Sequence, residues 1–279
     1  MRDNQKEDGL GHRNTGTPDL LSALDEGVLM LTLNRPEARN AMSDPMLEAI
    51  DRELAFAQSS REVRCVVLQG NGRAFCAGGD VKAMGDNPIT PSSLDDRIEY
   101  QRVIQRATSG RLVAMGKPSL AVIHGPAAGA GLALALACDL RIMARPAFLL
   151  TAFANVALSG DFGIGYLLAR LVGMARAKEL MFLPERVASE RALDLGLTNW
   201  VCEAEELEAQ AALIAGRLAS APPQALAYMK EHLNSALSTE FGAYMDHEVR
   251  CHIDCSQTAD HVEGVRAFAE KRAPVFSGD

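Results

Sequence analysis

The chain has 279 residues, 48% of them hydrophobic, and it carries a formal net charge of -8 with a pI near 5.3. This acidic balance argues against a nucleic-acid partner, because phosphate contacts require clustered lysine and arginine. No apolar run reaches the roughly 18 uncharged residues of a membrane-spanning helix, and residues 1–18 lack the apolar segment of a signal peptide. We therefore expect one large soluble protein with no membrane partner.

Six cysteines are scattered along the chain, most of them inside apolar runs. This distribution is typical of reduced thiols rather than of a disulfide framework, so we expect a cytoplasmic location. Residues 1–18 are polar and glycine-rich, which predicts a disordered tail.

The first predicted elements are two strand-like runs, 20–24 and 28–33, which flank a turn at 25–27 and indicate a hairpin. Ser43 has the residue type and setting of a helix N-cap, and residues 65–68 form a continuous apolar strand. The order strand, helix, strand favours a crossover connection within a parallel sheet.

The middle of the chain combines one long helix with a strand and a glycine-rich turn. Residues 83–93 indicate an irregular loop, and 94–115 predict a single amphipathic helix. Residues 119–123 indicate a buried strand that leads into the glycine-rich residues 125–131. An apolar helix over 132–138 follows.

After Gly196 the pattern is helical throughout, with no further strand predicted. We place a boundary at residue 200, between an α/β core at 19–200 and a helical C-terminal part at 201–279. The predicted C-terminal helices are 207–218, 224–237 and 241–255.

Two glycine-rich turns follow buried strands, and we call residues 75–80 the first glycine turn and residues 125–131 the second glycine turn. Backbone without side chains lets N–H groups approach a ligand closely, and the second turn directs them from a helix N-terminus. Either turn alone is more often an ordinary tight turn.

The second glycine turn also has the spacing of a dinucleotide-binding loop, in Gly125, Gly129 and Gly131. Short-chain dehydrogenases with such a loop need a tyrosine four residues before a lysine, and they carry the loop in their first βα unit rather than in mid-chain. No tyrosine here meets that requirement, so we set this alternative aside. The residues four positions after the tyrosines are Ile104, Arg170, His232 and Glu248.

Further motifs occur in order between residues 28 and 276. They are Asn34-Arg35-Pro36-Glu37, Arg39-Asn40-Ala41, residues 73–80, residues 124–139, Leu171-Val172-Gly173, Ala192 with Gly196-Leu197, Glu263-Gly264, Ala267-Phe268 and Glu270-Lys271-Arg272. In this order they resemble the crotonase (enoyl-CoA hydratase/isomerase) family. The resemblance implies an α/β crotonase fold of repeated ββα units, whose C-terminal helices assemble a homotrimer or a dimer of trimers.

The resemblance also implies a site for an acyl-CoA thioester, with coenzyme A as part of the substrate and no separate cofactor. The backbone N–H groups of Gly79 and Ala130 would form an oxyanion hole, in which each donor typically lowers the barrier by about 3 to 4 kcal/mol. Lys82 or Lys271 would meet a phosphate; the alternative for each is a solvated surface charge, which for Lys82 is equally favoured. The full implied substrate-binding set is Arg39, Ala41, Ala77, Gly78, Asp80, Val81, Lys82, Gly129 and Lys271.

Hydratases of the family place two glutamates around the attacking water, and the matching positions here hold Ala133 and Phe153. Neither side chain transfers a proton, which disfavours the usual addition of water. Asp161 remains as the candidate acid/base, as in family members that isomerise their substrates with one aspartate. The alternative for Asp161 is a helix N-cap.

Other candidate groups are better explained by packing. His247, Cys251 and Cys255 recur every four residues and, with Asp254, form a row that is more often a packed helix face than a metal site. We therefore predict no metal. We also predict structural roles for His124 and for Cys76.

The sequence thus predicts an acyl-CoA-processing enzyme that stabilises a thioester enolate, with enoyl-CoA double-bond isomerisation as the leading reaction. Two alternatives stay open: an enoyl-CoA hydratase in fatty acid β-oxidation, and a catalytically weak CoA-binding member of the family.

Overall fold

The structure, a computed structural model, describes residues 11–80 and 93–279. Most strands of the described chain join one seven-stranded sheet in the order β1-β2-β3-β4-β5-β7-β10. The strands are β1 (Gly11–Arg13), β2 (Leu20–Asp25), β3 (Val28–Leu33), β4 (Cys65–Gly70), β5 (Ser119–Ile123), β6 (Ala127–Ala128), β7 (Leu140–Ala144), β8 (Phe148–Leu150), β9 (Val187–Ala188) and β10 (Trp200–Cys202).

The described helices lie mostly between and after these strands. They are α1 (Asp44–Ser59), α2 (Leu94–Gln105), α3 (Arg111–Ala114), α4 (Ala130–Ala137), α5 (Ile164–Phe182, kinked at Gly173), α6 (Ser189–Asp194), α7 (Leu207–Ala219), α8 (Pro223–Ser235), α9 (Phe241–Ser256) and α10 (Ala259–Glu270).

The predicted hairpin and the predicted parallel crossover are both confirmed. Strands β2 and β3 pair antiparallel, whereas β3 pairs parallel with β4 across helix α1. The Ser43 side chain accepts a hydrogen bond from the amide of Met46 at 3.3 Å, so it caps α1 as predicted. Strands β4, β5, β7 and β10 continue the parallel part of the sheet.

A repeated ββα arrangement builds the centre of the molecule. Strand β5 of the large sheet is followed by β6 and helix α4, and β7 is followed by β8 and then α5. Strands β6, β8 and β9 form a second, three-stranded sheet. This two-layer pattern agrees with the predicted crotonase fold.

The large sheet is covered on both faces, as a parallel sheet requires. On one face α1 and the fully buried α4 pack into the main core with Leu29, Leu31 and Leu68. On the other face α7 packs against the strands through alanines and leucine, beside Val67, Leu120 and Ile142.

Helix α7 and strand β10 correct the predicted boundary at residue 200. Strand β10 pairs parallel with β7 and extends to Cys202, so the sheet continues beyond that boundary. Helix α7 covers the sheet and belongs to the α/β core rather than to a separate helical part. Such a short strand carries too little periodicity to be recognised from its sequence.

The prediction of a disordered tail is wrong for residues 11–18. Strand β1 pairs with β2, Arg13 contacts Glu53 at 2.7 Å, and the buried Thr15 hydroxyl donates to the carbonyl of Leu20 at 2.7 Å. These polar residues are thus held by the neighbouring strand β2 and by Glu53 of α1. Residues 1–10 lie outside the described residues.

The long helix predicted over 94–115 is present, although it is not uniform. It begins after the cap Ser93 and includes a π-helical turn at Arg106–Gly110 before α3. The Thr108 hydroxyl donates to the carbonyl of Ile104 at 2.7 Å, and such side-chain bonds compete with the regular helical pattern. The loop predicted at 83–93 lies, except for Ser93, outside the described residues.

Helix α4 starts at Ala130, two residues before the predicted start, and α10 was not predicted as a helix. Among the residues that the structure describes, no helix has both the length and the apolar character needed to cross a membrane.

Candidate functional site

The first glycine turn lies directly against the second. The amides of Phe75 and Cys76 donate to the carbonyl of Pro126 at 3.1 and 3.2 Å. Gly78 has φ +102°, and a Cβ at this position would lie 3.0 Å from the Ala128 oxygen and 3.4 Å from the Ala130 nitrogen. Glycine is therefore required here both by its conformation and by the close approach of the second turn.

The second glycine turn is held from both sides. The amide of Ala128 donates to the Cys76 carbonyl at 2.9 Å, and that of Gly129 donates to Leu150 at 2.9 Å. Gly129 has φ +51° and ψ -127°, which directs the chain into helix α4 at Ala130. A Cβ on Gly131 would lie 2.5 Å from the Cys76 oxygen, so the first turn of α4 packs directly on the first glycine turn.

The two amides that the sequence assigned to an oxyanion hole remain available as donors. In the described part of the chain, neither the Gly79 amide nor the Ala130 amide donates to a protein acceptor. The first amides of any helix lack intrahelical partners and carry partial positive charge. The structure thus brings the two segments that carry these amides into contact, and their role as oxyanion donors stays a prediction.

A third segment, residues 35–42, completes this region. The carbonyl of Arg39 accepts from the Ala77 amide at 3.0 Å, and the Met42 amide donates to the Gly78 carbonyl at 2.8 Å. Arg39 is exposed, and Ala41 is buried. Most residues implied in substrate binding therefore lie together, namely Arg39, Ala41, Ala77, Gly78, Asp80 and Gly129.

Asn40, for which the sequence predicted no role, connects this segment to the loop before the first glycine turn. It is fully buried, and its side-chain amide donates to the carbonyls of Asn71, Ala74 and Phe75 at 2.8, 2.7 and 3.2 Å. Its side-chain oxygen, Oδ1, accepts a hydrogen bond from the backbone amide of Arg35 at 2.9 Å. One side chain thus fixes the loop that precedes the first glycine turn.

Arg35 was also missed as a positioning residue. Its guanidinium donates to the Ala41 carbonyl at 2.7 Å and to the Asp80 carboxylate at 3.0 Å. Asp80 therefore lies at the end of the first glycine turn as the partner of a half-buried arginine. Both residues lie in motifs that carry the family resemblance, and this was the signal that could have identified them.

Asp161 lies in a tight loop, residues 160–163, in which Gly160, Phe162 and Gly163 all have positive φ. Its carboxylate is half-buried, and its Oδ1 atom is buried without a hydrogen-bond partner among the described residues. Burial raises the pKa of Asp161 to about 6. An unpaired carboxylate with a pKa near neutrality is the typical state of a general acid/base.

The alternative interpretation of Asp161 as a helix cap is wrong. Helix α5 has Gly163 as its N-cap and no side-chain capping bond, whereas Asp161 contributes its backbone carbonyl to the Ile164 amide at 3.1 Å. The carboxylate is therefore not used by the helix.

The two positions predicted to correspond to the hydratase glutamates carry apolar side chains. Ala133 is fully buried in α4, and Phe153 is 5% exposed. The tip of the Phe153 ring lies 4.0 Å from the position of a Cβ on Gly129, which places an apolar wall beside the second glycine turn. Phe162, next to Asp161, packs into the same core.

Cys76 and His124 have structural roles, as predicted. Burial raises the pKa of the Cys76 thiol to about 12, and the thiol donates to the Asn40 carbonyl at 3.0 Å. Burial also lowers the pKa of His124, whose Nε2 lies 3.1 Å from the Gly72 oxygen. A neutral thiol is a poor nucleophile.

Lys271 is exposed at the C-cap of α10, and Val81 and Lys82 lie outside the described residues.

Comparison with known proteins agrees with this architecture. A sequence model of the family described as enoyl-CoA hydratase/isomerase matches residues 23–279. The 1,2-epoxyphenylacetyl-CoA isomerase of Escherichia coli (strain K12) is 36% identical over 262 residues, which cover 93% of this chain and 98% of that protein. A protein named probable enoyl-CoA hydratase from Rhodobacter capsulatus is 37% identical over 257 residues, covering 91% and 96% of the two chains.

A crystal structure of an enoyl-CoA hydratase from Mycobacterium smegmatis superposes with a TM-score of 0.85 at 31% identity, covering 93% of this chain and 99% of that one. The chain therefore belongs to the enoyl-CoA hydratase/isomerase family and has the crotonase fold.

Proposed function

We propose that the protein isomerises the double bond of an enoyl-CoA by forming and reprotonating a thioester enolate. The observation that carries the proposal is the contact between the two glycine turns, where the amides of Gly79 and Ala130 have no acceptor among the residues that the structure describes. Two such donors stabilise the negative charge that develops on a thioester oxygen when a proton leaves the adjacent carbon.

Asp161 supplies the proton transfer in this mechanism. Its carboxylate takes a proton from the carbon beside the thioester, and the electron pair moves onto the thioester oxygen. The same carboxyl group then returns the proton two carbons away, and the double bond shifts into conjugation. A pKa of about 6 suits both steps, because the group is ionised at neutral pH and still releases a bound proton readily.

We propose that the substrate lies along residues 35–42 and the two glycine turns, beside the amides of Gly79 and Ala130. Arg39, Ala41, Ala77 and Asp80 would contact the CoA part, with Val81, Lys82 and Lys271 as the further residues implied by family resemblance. The reaction requires no cofactor, since coenzyme A arrives with the substrate.

The test follows the absorbance of the conjugated thioester with a 3-enoyl-CoA and with a 2-enoyl-CoA. Isomerisation produces conjugation from the first substrate, whereas hydration removes it from the second. We expect Asp161→Asn to lower kcat for isomerisation by about 10² to 10⁴. Ser159→Ala, an exposed change in the segment just before Asp161, is the matched control and should leave kcat unchanged. Full turnover in Asp161→Asn would remove this residue from the mechanism.

The pH profile provides an independent measurement. As general base Asp161 must be ionised, so kcat/KM for the 3-enoyl-CoA should rise with pH through about 6 and then level off.

Hydration is the second candidate, favoured by the likeness to the Rhodobacter capsulatus protein and disfavoured by Ala133 and Phe153. The third candidate is a binding protein without efficient catalysis. Tight acyl-CoA binding with no turnover of either substrate would favour the binding protein.

A homotrimer, or a dimer of trimers, is proposed as the assembly. Apolar side chains project from the C-terminal helices and from the turn between α8 and α9, and Leu233, Leu237, Phe241 and Phe268 are 75%, 72%, 70% and 88% exposed. Such a surface is typical of an interface between subunits. Light scattering of the purified protein measures its mass directly, and a monomer at micromolar concentration would contradict the proposal.

A cytoplasmic location is proposed from the cysteines. All six are free thiols, and none is paired in the structure. Reduced thiols are typical of that compartment.

A further inference from the structure

A cluster of potential metal ligands lies in the C-terminal helices, on elements that carry no part of the glycine turns. His232 of α8 and His247 and Cys251 of α9 each offer one ligand atom, and these atoms all lie within 4.8 Å of one another. The Cys251 sulfur is 3.6 Å from the His247 Nε2 atom. The sequence pattern had grouped His247 and Cys251 with Cys255 and Asp254 along one helix, whereas the structure brings His232 to them from the neighbouring helix.

His232 provides an independent observation. Its Nε2 atom is buried, and no residue in the described ranges forms a hydrogen bond with it. Its ring packs edge-on against His247 at 5.3 Å between centroids and against Tyr244 at 5.9 Å. A buried ring nitrogen without a partner is costly, and ligation of a metal would satisfy it.

A thiol-imidazole-carboxylate triad does not fit the same residues. In such a triad the two ring nitrogens face different partners. Here the Nε2 atom of His247 faces both Cys251 and Glu231, whose Oε1 atom lies at 2.9 Å. The sulfur and the carboxylate oxygen are clustered around one nitrogen rather than arranged in a line, as the ligand atoms of a single metal ion would be.

We propose that His232, His247 and Cys251 bind a transition-metal ion of the zinc type, at a site separate from the thioester chemistry. A mixed set of imidazole and thiolate ligands suits Zn²⁺. Bond lengths of roughly 2.0 to 2.3 Å place tetrahedral ligands about 3.3 to 3.8 Å apart. The observed 3.6 Å spacing matches this range, and the other ligand atoms lie within 4.8 Å of one another.

The fourth position of a tetrahedral ion is open to Glu231. This carboxylate is exposed and already lies beside His247, so it can rotate into the coordination sphere. The bound ion would join α8 to α9, which contact each other.

The test titrates the full-length, untagged protein, first treated with a chelator and a thiol reductant, with Zn²⁺ against a colorimetric zinc indicator. We expect one Zn²⁺ per chain with a Kd of about 1 µM or below, and an increase of a few degrees in Tm at saturating Zn²⁺. Substitution with Co²⁺ should give a thiolate charge-transfer band, because Cys251 ligates the ion.

Variants decide whether the assigned residues form the site. Cys251→Ser and His232→Gln should each weaken Zn²⁺ binding at least tenfold, while Cys255→Ser, one helical turn further along α9, should retain it. Equal weakening by Cys255→Ser and Cys251→Ser would overturn the assignment. So would the absence of stoichiometric binding, or a Co²⁺ spectrum without the thiolate band in the unmodified protein, which needs no variant to fold.

Discussion

At the scale of single residues, polar side chains that are buried with distant partners determine the geometry of the candidate site. Asn40 shows this most clearly, since its one side chain bonds three carbonyls that lie 31 to 35 residues away. The sequence places Asn40 in a family motif but does not reveal its role in holding the loop. The partners of such a residue are backbone atoms, which leave no pattern in the sequence.

Asp161 leads to a prediction on stability as well as on activity. Its folded-state pKa, about 6, lies above its ordinary value of 3.8 because burial penalises the charged form. Between these two values the folded protein binds a proton that the unfolded chain does not, so its stability decreases as the pH rises through this window and stays lower above it.

We therefore expect Asp161→Asn to be more stable than the wild type above about pH 6, because the substitution removes a half-buried charge. The gain in the free energy of unfolding should be about 1 to 2 kcal/mol, since solvent partly screens that charge. The difference should decrease as the pH falls below about 6 and vanish below about pH 3, where the carboxyl is protonated in both states. Urea unfolding at several pH values measures it, and Ser159→Ala should follow the wild type throughout. A constant difference between Asp161→Asn and the wild type at all pH values would contradict this origin.

At the scale of elements, the parts of the fold with strong local patterns were predictable. The hairpin β2-β3, the capped helix α1, the buried strands β4 and β5 and the two glycine turns all follow from residues that are adjacent in sequence. Strands β1 and β10 have only three residues each, which is too short for a recognisable periodicity, and β10 pairs with β7, a strand about 58 residues earlier in the chain. The alternative of Asp161 as a helix cap was wrong because Gly163 occupies the N-cap position.

The contact of α4 with the first glycine turn gives a prediction at this scale. A methyl group on Gly131 would lie 2.5 Å from the Cys76 oxygen and 2.6 Å from its sulfur, so Gly131→Ala must separate the two turns. We expect a loss of about 1 to 3 kcal/mol in the free energy of unfolding, together with a large decrease in kcat.

The matched control is Gly216→Ala in the middle of α7. No atom lies within 4 Å of the added Cβ at this position. Because alanine is the better helix former, this change should increase the free energy of unfolding by about 0.5 to 1 kcal/mol. Equal effects of the two substitutions on unfolding in urea would show that the close contact is not limiting.

At the scale of the whole molecule, Lys230 attaches the C-terminal helices to the α/β core. Its ammonium group is almost fully buried and donates to the carbonyls of Leu112 and Lys117 at 2.7 and 3.1 Å and to the Asp139 carboxylate at 2.8 Å. Asp139 also accepts from the amide and hydroxyl of Ser119. Helix α8 is thereby joined to the start of a central strand.

Removing this connection should be costly. In Lys230→Met the two carbonyls and the Asp139 carboxylate lose a charged donor, so we expect a decrease of about 2 to 3 kcal/mol in the free energy of unfolding. The control is Arg102→Met, which removes an exposed ion pair with Glu99 on α2 and should change stability by less than about 0.5 kcal/mol. Comparable losses in both variants would contradict the connecting role of Lys230.

The burial of Cys76 between the two glycine turns makes this thiol a native reporter of how often the site opens. Alkylating reagents require both a thiolate and access, so Cys202 and Cys255, which are partly exposed, should be modified well before Cys76. Modification of Cys76 then requires the turns to separate transiently, and its rate measures that equilibrium. An acyl-CoA that spans both turns should slow the reaction in proportion to its occupancy, which gives a direct assay of binding without any turnover.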